Sequence, residues 1–155
     1  MIQKPTSRSR AQRKRNLFRE TKSSPLVIFM VGSFHEFVEE IRTEAENTIK
    51  SELSRRSFLE RAGFRLFMPL TVNIVTDQGA VSLKIFKNGI IQLSRYLPSR
   101  PDNSIQTNFE TLRSLYHSRD RNHFIQAESK GRIKITSHSY KGKQAERKLR
   151  ELLGY

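Results

Sequence analysis

The sequence predicts an α+β fold: an antiparallel sheet of about five or six strands packed on helices, with a long helix near the N-terminus and a disordered basic arm before it. Three observations predict it. Residues 85–94 (IFKNGIIQLS) and 127–136 (AESKGRIKIT) each show an apolar alternation broken by a glycine and then resumed. Apolar residues recur at helical spacing from Phe34 to Ala62. Residues 1–24 carry Lys4, Arg8, Arg10, Arg13, Lys14, Arg15, Arg19 and Lys22 against one acid, Glu20. With 155 residues, the chain divides most simply into this arm (1–24) and a single domain (25–155) able to bury one core.

The arm has few apolar groups to offset the entropy of ordering, so it is expected to be unfolded. Its composition suits a nucleic-acid-binding arm, a nuclear import signal or a mitochondrial transit peptide. A solvated tail that aids solubility is the plainer reading.

PLVIFMV (25–31) reads as a buried strand by its continuous apolar character. After Gly32, Ser33 and Glu36 have capping-box spacing, and Phe34, Phe37, Val38, Ile41, Ala45 and Ile49 follow on one helical face. The helix is expected to run through Leu53, Phe58, Leu59 and Ala62 to Gly63, the expected C′ residue. The stripe loses definition at Ser51–Ser57, where a break would fall. Residues 64–76 (FRLFMPLTVNIVT) read as a strand, with Pro69 marking an edge, bulge or break, and DQG at 77–79 as a turn.

Asn88–Gly89 suggests a two-residue hairpin turn, but that register would mix apolar and polar residues on both faces. A three-residue loop, Lys87–Asn88–Gly89, pairs Ile85 with Ile91 and Leu83 with Leu93. Burial then unites Val81, Leu83, Ile85, Ile91 and Leu93, with Gly89 as the left-handed residue. RYLPSRPD is an irregular connection. A second helix is expected at about 103–117, with Ile105, Phe109, Leu112 and Tyr116 on one face. A second hairpin is expected at about 123–137, with Ser129–Lys130–Gly131 as its loop, pairing Ala127 with Ile133 and Ile125 with Ile135. A final helix takes about 141–153.

The two hairpins resemble a hairpin-plus-helix unit used twice. AVSLKIFKNGIIQLS is similar to the hairpin of TATA-box-binding-protein-like factors, in particular the divergent ones of large DNA viruses. GRIKITSHSYKGKQAERKLRELLGY resembles the strand-then-helix that ends a repeat of that fold. Together these segments make up 40 of the 155 residues. The resemblance implies a curved sheet that binds DNA on its open face, with Lys84, Phe86, Gln92, Arg132 and Lys134 pointing outward. KGKQAERKLRELL is also similar to the basic last helix of a double-stranded-RNA-binding domain.

A formal charge of +14 attracts polyanions, nucleic acid first and an anionic membrane surface second. The expected function is non-enzymatic nucleic-acid binding through arm and sheet, with DNA or RNA as partner. The residues expected to carry it are Arg8, Arg10, Arg13, Lys14, Arg15, Lys84, Phe86, Lys87, Gln92, Phe124, Arg132 and Lys134. The cations neutralise phosphates, while Phe86 and Phe124 stack on bases or wedge between them. The expected partners exclude a membrane and include a homodimer or larger nucleoprotein assembly, in a nucleus or nucleoprotein particle, or in a mitochondrion if the arm is a transit peptide. The alternatives are an RNA-binding structural component of a ribonucleoprotein or virion, and a small enzyme acting on nucleic acid.

Signals for chemistry are sparse. The chain has no cysteine, which removes disulfides and thiolate nucleophiles. No apolar run reaches the roughly 18 residues of a spanning helix. His35 and Glu39 stand four apart on a helix, but no HExxH pattern, P-loop, dinucleotide fingerprint or nucleophile elbow is present. No catalytic residue, metal or cofactor is therefore expected. Asp77, Asp102 and Asp120 sit in turn-like contexts that favour local hydrogen bonding.

Overall fold

Two helices in series precede the sheet. The computed structural model describes residues 24–153, so Arg8, Arg10, Arg13, Lys14 and Arg15 and the rest of the arm up to residue 23 lie outside the described residues. Helix α1 runs over Ser24–Arg55 and α2 over Phe58–Phe67. The strand expected at 25–31 is thus corrected to helix. A seven-residue apolar run has no period of its own, so it fits a buried strand and a buried helical turn alike. Ser33 and Glu36 fall inside α1 and do not start it.

The break expected among Ser51–Ser57 is present, and a capping box makes it. Ser57 is extended (φ −64°, ψ 163°) and accepts from the Glu60 amide at 3.4 Å, while its own amide donates to Glu60 Oε2 at 3.0 Å. This reciprocal pairing starts a new helix and carries it through Gly63, which is corrected from helix end to helix interior. The strand expected from residue 64 begins only at Leu70, after a cis Met68–Pro69 peptide.

Strands β1 (Leu70–Thr76), β2 (Gly79–Ile85), β3 (Ile91–Ser94), β4 (Asn103–Thr107) and β5 (Ile133–Ser137) form one sheet in the order β3-β2-β1-β4-β5. The β1–β4 pair is parallel and the others are antiparallel. The first hairpin has the register that burial demands: Ile85 pairs with Ile91 and Leu83 with Leu93, and Gly89 has φ +85°.

Two further corrections follow. Residues 103–107 are β4, not the first turn of a helix. Ile105, Phe109 and Leu112 have helical spacing, but the Asn108 side chain caps α3 (Phe109–Ser118) by accepting from the Thr111 amide at 2.7 Å. The second hairpin is absent: residues 121–129 form α4 (Arg121–Ser129), and β5 pairs with β4, setting Ile105 beside Ile135. Gly131 is left-handed, at φ +70°, but it follows the end of α4, where the Arg132 amide donates to Ala127 O at 2.8 Å. A left-handed glycine serves a hairpin loop and a helix C-terminus equally well. Helix α5 (Tyr140–Leu153) closes the order.

One sheet face makes the core. Val72, Ile74, Val81, Leu83, Leu93 and Ile105 pack against Phe34, Phe37, Val38 and Ile41 of α1 and against Phe109, Leu112 and Tyr116 of α3. Edge-on ring contacts join the two helices, Phe34–Phe109 at 5.7 Å and Phe37–Tyr116 at 5.3 Å, the geometry that the ring quadrupole favours. Because β3 and β4 are separated by β2 and β1, the connection at 95–102 must cross the sheet. It does so on the outer face, where Asn73 Nδ2 donates to Pro98 O at 3.2 Å.

Candidate functional site

The outer sheet face does not assemble the expected binding surface. Lys84 and Gln92 are cross-strand partners at one corner, with Phe86 and Lys87 just beyond in the hairpin tip. Lys84 Nζ lies 5.2 Å from the Phe86 ring centroid. Arg132 and Lys134 stand at the start of β5. Lys84 is level with Thr71 of β1, whereas Lys134 is level with Gln106, the neighbour of Val75. Three strand spacings and four residues of rise put these two lysine backbones about 20 Å apart. Between them Asn73 and Ser82 are buried on the outer face, where the 95–102 crossing meets Asn73. Phe124 is on helix α4, half-buried, and shares no sheet face with Phe86.

The aspartates perform structural work. Asp102 accepts from the Thr71 amide at 2.8 Å and from Ser139 Oγ at 2.5 Å. Asp77 accepts from the Phe109 amide at 2.7 Å, and Asp120 caps α4. Among the described residues Ser104 Oγ pairs with His138 Nε2 and Ser118 Oγ with His123 Nδ1, each at 2.9 Å. A nucleophilic site needs the histidine oriented by a third group, and Asp102, two residues from Ser104, directs its carboxylate elsewhere. Among the described residues no group of three His, Asp or Glu side chains is placed to hold a metal ion.

A polar groove of about 710 Å³ runs along α1 beside Glu39, Glu40, Glu44 and Glu52. Tyr116 and Arg119 both donate to Glu44, and these bonds hold its carboxyl below the usual range. Negative charge suits neither a polyanion nor an apolar molecule there.

The end of the molecule formed by α2 and the β2–β3 tip is different. No residue of α2 is buried. Phe58, Leu59 and Leu66 are 74%, 80% and 79% exposed. At about 100° per residue, Phe58, Ala62, Leu66 and Leu59 share one arc of the helix, bordered by Arg65 and Arg61. Two residues past the end of α2, Pro69 joins Phe86, Lys87, Asn88 and Ile90 in lining an open cavity of about 520 Å³ at the surface. The tip rests on α1: a Cβ built on Gly89 would lie 3.2 Å from Ile49 Cγ2 and 3.5 Å from Leu53 Cδ1. Lys141 Nζ donates to Pro69 O at 2.8 Å, tying α5 to the same corner. The combination is an open apolar cradle with Lys87 in its lining and Lys84 over the Phe86 ring, and, two residues ahead of Pro69 in the chain, the end of an exposed apolar helix that carries Arg61 and Arg65. It can take up an apolar chain and meet an anionic group at its edge.

Sequence reasoning assigned Phe58 and Leu59 to the buried stripe of one long helix and left Leu66 in a strand. The signal that would have separated them is Ser57-Phe58-Leu59-Glu60, a second capping box ahead of an apolar run.

The sequence matches no protein-family profile and no curated protein. Among solved structures, the chain is similar to a UbiJ-SCP2 ubiquinone synthesis protein, at 14% identity over 76% of this chain and 98% of that one, with a TM-score of 0.47. It is similar to sterol carrier protein 2 like 2 from Aedes aegypti, at 16% identity over 73% and 97% of the two chains, with a TM-score of 0.42. A stereoselective inverting sec-alkylsulfatase, Pisa1, from Pseudomonas sp. is 19% identical over 61% of this chain and 14% of its own, with a TM-score of 0.41.

The expectation of a DNA- or RNA-binding protein, viral or otherwise, with a nucleoprotein assembly as its partner, is corrected. Of the three similar structures, two bear the names of ubiquinone-synthesis and sterol-carrier proteins and the third that of a sulfatase. Within the molecule, Lys84 and Lys134 sit at opposite corners, the crossing segment meets the buried Asn73 between them, and Phe124 has left the sheet for a helix.

Proposed function

We propose that this protein is a non-enzymatic lipid-binding module that holds an apolar chain at the end formed by α2 and the β2–β3 tip. The single observation that carries this reading is the exposure of Phe58, Leu59 and Leu66 on one side of α2, a helix that leads within two residues into Pro69 and the open cavity it lines with Phe86 and Ile90. Large apolar side chains left in water cost roughly 1.5–3 kcal/mol each relative to burial, so an apolar ligand that covers them gains that free energy. Lys84 and Lys87 at the rim offer an ammonium to a carboxylate or phosphate head group. A sterol carrier among the similar structures has a lipid class in its name; the reading rests on this chain's own residues.

The test is titration with a fluorescent fatty acid below its micelle concentration, followed by displacement with palmitate. Saturable binding is expected. Leu66→Glu and Ile90→Glu should each weaken it about tenfold or more, because a charge is placed where the apolar chain would lie. Circular dichroism should be unchanged for both exposed positions. Absence of saturable binding, or binding indifferent to both changes, overturns the reading.

A further inference from the structure

We infer that α2 docks this protein on an anionic lipid bilayer, with Phe58, Leu59 and Leu66 in the interfacial region and Arg61 and Arg65 on the head groups. The inference rests on the lipid-binding reading and adds the surface from which the apolar chain would come. Two features of α2 select this occupant. The helix is ten residues long, about 15 Å, and its apolar arc faces outward. Helices that lie in a membrane interface bind through buried apolar area together with cations that meet anionic lipids. Here the cations border the arc: Arg65 and Arg61 lie beside Phe58 on the helical wheel, and Arg55 and Arg56 come just before the capping box.

Charge argues against a second copy as the occupant. A symmetric α2–α2 contact would bring Arg61 and Arg65 of both chains onto one interface with Glu60 as the helix's single acid. That acid is committed to the Ser57 amide. An anionic bilayer supplies the missing negative charge. Among the described residues no helix is long and apolar enough to cross a membrane.

The chain contains no tryptophan, so one introduced indole reports its own surroundings. The full chain carrying Leu59→Trp is mixed with phosphatidylglycerol–phosphatidylcholine vesicles or with phosphatidylcholine vesicles. With the anionic vesicles, emission should shift to the blue and be quenched by lipids brominated high in the acyl chain. With phosphatidylcholine alone it should not. Gln106→Trp, on the outer sheet face, should show neither change. Adding Arg61→Glu and Arg65→Glu to Leu59→Trp should weaken the emission response about tenfold or more, with thermal melts unaltered. Unshifted Leu59→Trp emission on vesicles that do sediment the protein would place the contact elsewhere on this basic chain and overturn the inference. An equal shift on phosphatidylcholine, or a shift that grows with protein concentration without lipid, also overturns it. Loss of palmitate binding with insertion intact would sink the lipid-uptake reading alone. Palmitate binding without insertion would sink the docking alone.

Discussion

Glu46 of α1 accepts a hydrogen bond from the backbone amide of Ile91 in β3 at 3.0 Å. Arg42, one turn earlier, donates to the carbonyl of the same residue at 3.4 Å and to Glu46 at 3.2 Å. β3 is an edge strand, and an edge presents unpaired amides and carbonyls that can recruit another chain. The long helix therefore does more than cover the core. Its polar flank closes both backbone groups of Ile91, while Phe34, Phe37 and Val38 fill the space beneath the sheet.

This clamp predicts acid sensitivity. The Ile91 amide first, and then Lys50, hold the Glu46 carboxyl below its ordinary value of 4.5. Tyr116 and Arg119 do the same for Glu44, Ser57 for Glu60 and Arg150 for Glu128. Because the folded values lie below the unfolded ones, the stability these groups contribute is present above the ordinary carboxylate range. It is lost as pH falls through the folded values. Thermal melts should therefore hold near neutrality and decline below about pH 4. Glu46→Ala should flatten part of that decline, lower Tm near neutrality by a few degrees, and speed hydrogen exchange at the Ile91 amide. Unchanged exchange there would remove the clamp.

Two glycines should respond in opposite directions. Gly142, in the first turn of α5, is buried, and a Cβ on it would come within 2.2 Å of the Asp102 carbonyl oxygen. Gly142→Ala should cost about 1–3 kcal/mol, since backbone cannot give way as a side chain can. Gly63 has nothing within 4 Å of such a Cβ and sits inside α2. Gly63→Ala should stabilise the helix by about 0.5–1 kcal/mol. Urea unfolding measures both. Destabilisation by Gly63→Ala would return it to the helix-end position expected from the sequence.

The sheet faces give a third prediction. Leu83 and Ile133 are on the core side, whereas Lys84 and Lys134 are exposed on the other. Leu83→Asp or Ile133→Asp should unfold the protein, because each forces a carboxylate among apolar groups. Lys84→Glu and Lys134→Glu should keep near-native melts. The reverse order in calorimetry would mean that the strands are turned over.

The sequence by itself determined those features whose alternatives differ in burial over a few residues. In the β2–β3 hairpin, a shift of one residue would turn Ile91 and Leu93 to the wrong face, so burial selected the loop and demanded a left-handed Gly89. The local role of Asp120, which caps α4, was legible too, whereas Asp77 and Asp102 stand in turns but spend their carboxylates on Phe109, Thr71 and Ser139, more than thirty residues away in the chain. Tertiary structure decided the rest. Residues 25–31 satisfy a strand or a helix equally until a neighbour is chosen. Residues 103–107 became a strand because β1 is there to pair with them in parallel, across some thirty residues of chain. Gly131 carries the same left-handed backbone as Gly89, yet it ends a helix because β5 finds its partner in β4. The candidate site was the least legible part. Phe58, Leu59 and Leu66 are apolar residues like any in a core, and only the packing of the remaining elements, which fills the inner face without α2, leaves them in water.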